Sequence, residues 1–228
     1  MKKTGIVLLL ALVPMFLQAQ DASALLGRLV AKLDMVKDYS VNANIRSDMP
    51  MIKILPVNAK IYFKQKDKLK VVSEGIAILP RQGFTDISKL LQNKNSYTAF
   101  LTGTETIQNV KTDIITVLPS GDTSDVVLAK LWVDAVNDIV LKSQITTRSN
   151  GTVTIDYQYG AQKVYGLPDN ITFTVDVKKF KIPKGVATDI NKTSAPAQAQ
   201  EAAKTGKIYI ALSGYVINKG IDDAFFRK

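Results

Sequence analysis

Period-two alternation of apolar and polar positions dominates the stretch from Val126 to Tyr159. Val127, Ala129, Leu131 and Val133 alternate with Leu128, Lys130, Trp132 and Asp134. Ile139, Leu141, Ser143 and Ile145 then alternate with Val140, Lys142, Gln144 and Thr146. Val153, Ile155, Tyr157 and Tyr159 follow, interleaved with Thr152, Thr154, Asp156 and Gln158. Such alternation sends each set to its own face of a sheet. The breaks are turn chemistry: Ala135-Val136-Asn137-Asp138, then Ser149-Asn150-Gly151. Asn-Gly supplies the positive φ values of tight hairpins. The pattern predicts a three-stranded antiparallel meander with one apolar face.

The same rule extends both ways. Upstream it predicts strands over Tyr39 to Arg46, Val57 to Lys64, Leu69 to Leu79 (with Gly75 as a bulge or bend), Ser96 to Thr102, Glu105 to Gln108 and Val110 to Leu118. Downstream it predicts Ile171 to Val177 and Lys207 to Ile217. The period changes to helical twice. Leu25, Leu26, Leu29, Val30, Leu33 and Val36 form an apolar stripe over Ala22 to Val36, which a sheet's apolar face would cover. Phe84 to Asn93 is a shorter helix, with Phe84, Ile87, Leu90 and Leu91 as the residues of a candidate lid. The link DMPMIKILP between the first two strands is apolar, so it either reaches a cavity mouth or packs on the barrel end. Thr193 to Gly206 is rich in Ala, Gln, Ser and Pro without apolar periodicity, the pattern of a mobile loop.

Residues 1–20 change the picture of where the protein works. Lys2 and Lys3 precede an apolar run from Ile6 to Leu17, and Ala19-Gln20 offers a small-residue exit. This is the pattern of a secretory signal, too short and Pro-interrupted for a span. A buried N-terminal helix is the alternative. The mature chain, residues 21–228, is expected to be one exported, soluble domain, monomeric and without a lipid anchor. Loss of Lys2 and Lys3 takes the net charge from +10 to +8. That favours anionic partners, though lysines on polar strand faces also serve solubility. No dense Arg/Lys run interleaved with aromatics points to nucleic acid.

Cysteine and histidine are both absent. This excludes disulfides, Ser-His and Cys-His nucleophilic catalysis and the usual zinc sites. A carboxylate-pair glycosidase needs two acids converging in a cleft. The strand acids Asp134, Asp156 and Asp176 are instead expected on the polar face. Asp222 and Asp223, before Phe225 and Phe226, read as a terminal turn with its aromatics under the barrel rather than as a metal site. The sequence thus predicts no catalytic residue, no metal and no cofactor.

About ten strands with one wet face predict a mainly β fold: a curled antiparallel half-open barrel, its apolar concave face covered by two or three helices. Three stretches carry a family resemblance: ALLGRLVAKLDMVKDYSVNANI after the leader, GTETIQNVKTDIITVLP, and LWVDAVNDIVLKSQITTRSNGTVTIDYQYG. The segment GLPDNITFTVDVKKFKIPKG fits as well. In this order they resemble the LolA/LolB-like envelope lipoprotein-sorting proteins, a superfamily that includes periplasmic sensors. The resemblance implies a half-open barrel holding acyl chains under a helical lid. The chain departs from it at Lys64-Gln65-Lys66-Asp67, where carriers often have an Arg-Pro pair, and at ILPRQGFTDISKLL, where they tend to have Asp-Gly with Trp or Tyr.

The function expected is that of a periplasmic, non-enzymatic carrier for a lipid or acylated lipoprotein. The expected cavity residues are Ile45, Ile61, Phe63, Leu131, Val133, Ile155, Tyr157 and Phe173. Plain core packing is the alternative for each. An envelope sensor or scaffold that binds a protein partner is the alternative function.

Overall fold

The computed structural model describes residues 13–50, 54–66, 68–75, 90–121, 125–149, 151–176 and 205–227. Helix α1 (Val13–Asp34) opens the chain, beginning inside the segment read as a leader. Ten strands follow among the described residues: β1 (Asp38–Asp48), β2 (Val57–Lys64), β3 (Lys68–Ser73), β4 (Tyr97–Ile107), β5 (Val110–Pro119), β6 (Val126–Asp134), β7 (Ile139–Thr147), β8 (Gly151–Gln158), β9 (Asn170–Asp176) and β10 (Thr205–Ile217). They form one antiparallel sheet in the order β3-β2-β1-β10-β9-β8-β7-β6-β5-β4. The last strand sits between β1 and β9, and β3 and β4 are left as edges. This is the curled, half-open barrel that the alternation predicts.

The concave face carries the alternating apolar set. Ile115, Val117, Ala129, Leu131, Ile145, Ile155, Phe173 and Ile208 are all buried there. Helix α1 supplies Leu25, Leu26 and Leu29 to the same core and packs beside β4. Its far end is tied to the β6–β7 turn. Arg28 Nε donates to Asp138 Oδ1 at 2.9 Å, and Lys32 Nζ to the Asn137 carbonyl at 2.5 Å.

Departures from the alternation trace to bulges and turns. The predicted strands 96–102 and 105–108 are one strand, β4, with a register shift between Leu101 and Gly103. It joins β5 through Gln108 and Asn109, both at positive φ, a tight turn made without glycine. A bulge between Val126 and Leu128 buries Val126 and leaves Val127 exposed, the reverse of the expected faces. Asp134, expected on the polar face, is buried. Its carboxylate accepts from Val136 N, Asn137 N and Asn137 Nδ2. It is the staple of the β6–β7 turn.

β3 ends at Ser73, so Gly75 lies past the strand. The described residues of the apolar link between β1 and β2 (49–50 and 54–56) sit at the end of the barrel away from Tyr39 and Phe63. There Met49 is buried while Leu55 faces solvent. Of the predicted lid, Phe84 and Ile87 lie outside the described residues. Residues 90–92 are helical, and Leu90 and Leu91 are buried in the core. The predicted loop at 193–206 lies outside the described residues except Thr205 and Gly206, which begin β10.

The C-terminal tail does not run under the barrel. Phe225 packs on the outward ring of Tyr62, centroids 4.6 Å apart, with Lys70 Nζ 4.5 Å above it. Asp223 bridges Lys64 and Lys68, each at 2.6 Å. Outward side chains of β2 and β3 give the aromatic tail a ring to pack on and cations to pair with. Asp38 and Asn218 lock the junction. Asn218 Oδ1 accepts from Lys37 N and its Nδ2 donates to the Met35 carbonyl, while Asp38 accepts from Lys219 N and Gly220 N.

Candidate functional site: an aromatic-walled cavity beside helix α1

A cavity of about 250 Å³ opens at the barrel end nearest the α1–β1 connection. Antiparallel pairing brings the starts of β1, β3, β7 and β9 beside the ends of β2, β8 and β10 there. Each of these contributes an inward residue: Tyr39, Leu69, Ile139, Ile171, Phe63, Tyr157 and Leu212. Helix α1 roofs the space with Leu29, Val30 and Leu33, and Leu91 adds to the wall. The turn before β9 supplies Gly166, Leu167 and Pro168. Gly166 caps a 3₁₀ turn (Ala161–Tyr165) at φ 68°, a conformation that costs glycine little, with Lys32 and Leu33 packed against it.

Aromatic rings define the wall. Tyr39 stacks on Phe63 with centroids 5.1 Å apart and meets Tyr215 edge-on at 5.7 Å. Tyr157 and Tyr159 lie 6.5 Å apart on the other side. Three of the hydroxyls have fixed partners. Tyr157 shares a 3.1 Å bond with Ser143 Oγ, Tyr159 donates to the Val140 carbonyl, and Tyr215 donates to the Pro168 carbonyl. Burial pushes Tyr39 and Tyr157 up to about 12 and raises Tyr159 and Tyr215 further. All four stay neutral in ordinary conditions, so the wall is apolar with satisfied polar atoms.

Charge is confined to the rim, which carries Lys32, Lys66, Asp34 and Asp138, the last already paired with Arg28. Among the described residues no three His, Cys, Asp or Glu gather as a metal site would need. The arrangement can bury an aliphatic chain.

Of the eight cavity residues expected from sequence, Phe63, Leu131 and Tyr157 line this space. Ile45, Val133, Ile155 and Phe173 are fully packed in the core, and Ile61 is half-buried against it. All eight take the concave face, but alternation does not tell depth along the barrel. Tyr39, Tyr215, Leu29 and Leu33 were missed. Their signal was position: each sits at a strand or helix end that antiparallel pairing brings to one rim.

No protein-family model and no curated protein sequence matches the chain. Solved structures do match it in fold. An outer-membrane lipoprotein-sorting domain, so assigned, from Vibrio parahaemolyticus superposes with TM-score 0.63 at 9% identity, covering 91% of this chain and 97% of that one. A DUF1329 family protein from Desulfovibrio piger gives 0.59 at 14%, covering 92% and 97%. A LolA superfamily protein from Nitrosomonas europaea gives 0.55 at 14%, covering 91% and 97%. At such identities the likeness speaks for architecture, and the architecture of this chain is the LolA-like fold.

Proposed function

We propose that this protein is a non-enzymatic carrier that holds an acyl chain of a lipid or acylated protein in the cavity beneath α1. The observation that carries the reading is the wall itself: rings and aliphatic side chains around about 250 Å³, with charge only at the rim. That is slightly below the roughly 300–1,000 Å³ of sites for drug-sized ligands, which suits one chain entering end-on. Each buried methylene contributes about 0.8 kcal/mol, so eight give about 6 kcal/mol before the cost of association. The leader pattern and the LolA-like fold support an exported, envelope setting for this binding. No helix among the described residues is long and apolar enough to cross a membrane.

The test is native mass spectrometry of the mature protein with organic extraction, then titration with a fluorescent fatty acid. Leu33 and Leu69 face the cavity yet are 43% and 46% exposed, so glutamate there spares the core. Leu33→Glu and Leu69→Glu are expected to lower affinity at least about tenfold, the loss of roughly two methylenes' burial or more, with the melting curve preserved. Phe63→Glu, at the position paired with Leu69 on the same wall, should likewise lower affinity. An empty protein that takes up no fatty acid overturns the carrier reading.

A further inference from the structure

We propose that the outer face of the β2–β3 hairpin, with the C-terminal tail laid over it, docks on an anionic lipid surface and presents the cavity mouth to it. The inference rests on the carrier reading for its purpose, but its surface stands on separate residues.

Period two makes one hairpin serve both faces. Phe63 and Leu69 point inward to the cavity, and their neighbours Lys64, Lys68 and Lys70 point outward. Lys60 extends the outward row, exposed, with its Nζ 5.6 Å from the Tyr62 ring centroid. The hairpin 57–75 holds five lysines (60, 64, 66, 68 and 70) against Asp67 and Glu74. The tail adds Lys219, Arg227 and Lys228 but also Asp222 and Asp223, so its side chains add only one net positive charge. It does add Phe225 and Phe226, packed edge to face at 5.6 Å and both partly exposed.

Cations beside exposed aromatics at one edge of an apolar cavity fit an anionic lipid surface better than a soluble polyanion, which has no use for the rings. Asp223 acts as a built-in counter-ion. Lys64 and Lys68 hold its carboxyl down near pKa 2, yet its side chain is 52% exposed, so the pairs are easily exchanged. Lipid phosphates replace that single carboxylate on docking. The lysines are then neutralised by the surface, and the tail's rings lie against it.

The experiment is co-flotation of the full mature chain with vesicles of phosphatidylglycerol in phosphatidylcholine, compared with phosphatidylcholine alone. Binding is expected only to the anionic vesicles, and to fall as salt shortens the screening length from about 10 to about 3 Å. Lys60→Gln/Lys68→Gln, neither of which lines the cavity, should weaken it about fivefold per lysine, roughly 25-fold together. Asp223→Asn should strengthen it about fivefold. A tail that is merely structural would give the opposite sign. Equal binding to neutral vesicles, indifference of the lysine pair, or equal capture by soluble polyglutamate overturns the proposal. Fatty-acid titration separates the two readings: Lys60→Gln/Lys68→Gln keeps uptake but loses vesicles, and Leu33→Gln, which adds no charge at the mouth, does the reverse.

Discussion

Single residues here act mainly by satisfying polar atoms in apolar places. Four tyrosines wall the cavity, and three of them donate to or share a bond with a fixed oxygen. Their ionisation is opposed by burial, which sets the pH behaviour. A group whose folded pKa lies above its unfolded value contributes stability that is intact below the unfolded pKa and lost as pH rises through the folded one. For Tyr39 and Tyr157 that window runs from about 10, the ordinary tyrosine value, to about 12. Stability is therefore expected to be flat across neutral pH and to fall between those limits. Tyrosinate absorbance should lag behind that of free tyrosine until unfolding releases it, and Tyr157→Phe should soften the fall. Titration of all eight tyrosines at the ordinary value, with no coupled unfolding, would contradict this. Asp134 and Asp38 show the same economy, each carboxylate collecting backbone N–H groups at a chain reversal.

At the scale of elements, α1 is held by its apolar stripe and only trimmed by its charges. Leu26 is fully buried against the concave face, while Arg28 is 51% exposed and pairs with Asp138 across 2.9 Å. Removing a buried leucine leaves a cavity, so Leu26→Ala is expected to cost about 2–5 kcal/mol. An exposed pair contributes little, so Arg28→Ala should cost less than about 1 kcal/mol. Urea unfolding measures both; comparable losses would mean that the ion pair, not the stripe, anchors the helix. The β2–β3 hairpin is the second element of note, because its two faces belong to different tasks. Inward residues shape the cavity, and outward ones bind the tail.

The whole molecule is a sheet that does not close. β3 and β4 are both edges, but they are not equal. β4 is backed by α1, whereas β3 is six residues long, exposes Leu69 and Val72, and is steadied by the tail. Edges with few buried contacts open first. Amide exchange should therefore be fastest in β3 and slowest in β7, β8 and β9, which have neighbours on both sides and carry alternating buried residues at their centres. Uniform protection across the sheet would sink this ordering. A loosely held β3 beside the mouth also gives a ligand its easiest entry, since widening there breaks one ladder only.

Much of this was legible from residues alone, because a strand with one dry face must alternate. The meander from Val126 to Tyr159, the β2 limits and the stripe on α1 needed only the periods of strand and helix and the cost of exposing apolar surface. The absence of cysteine and histidine also closed off whole classes of chemistry before any fold was known. Tertiary structure decided what local pattern does not encode. A bulge at Val127 reversed the faces that alternation had assigned at the start of β6, since one extra residue shifts the side chains beyond it. Pairing β10 between β1 and β9 brought Tyr215 to Tyr39, residues far apart along the chain. It is depth along the barrel, set by strand register and by where α1 stops, that left Phe63 and Leu131 on a cavity wall and sealed Ile155 and Phe173 in the core. Register is a property of pairs of strands, and no single strand carries it.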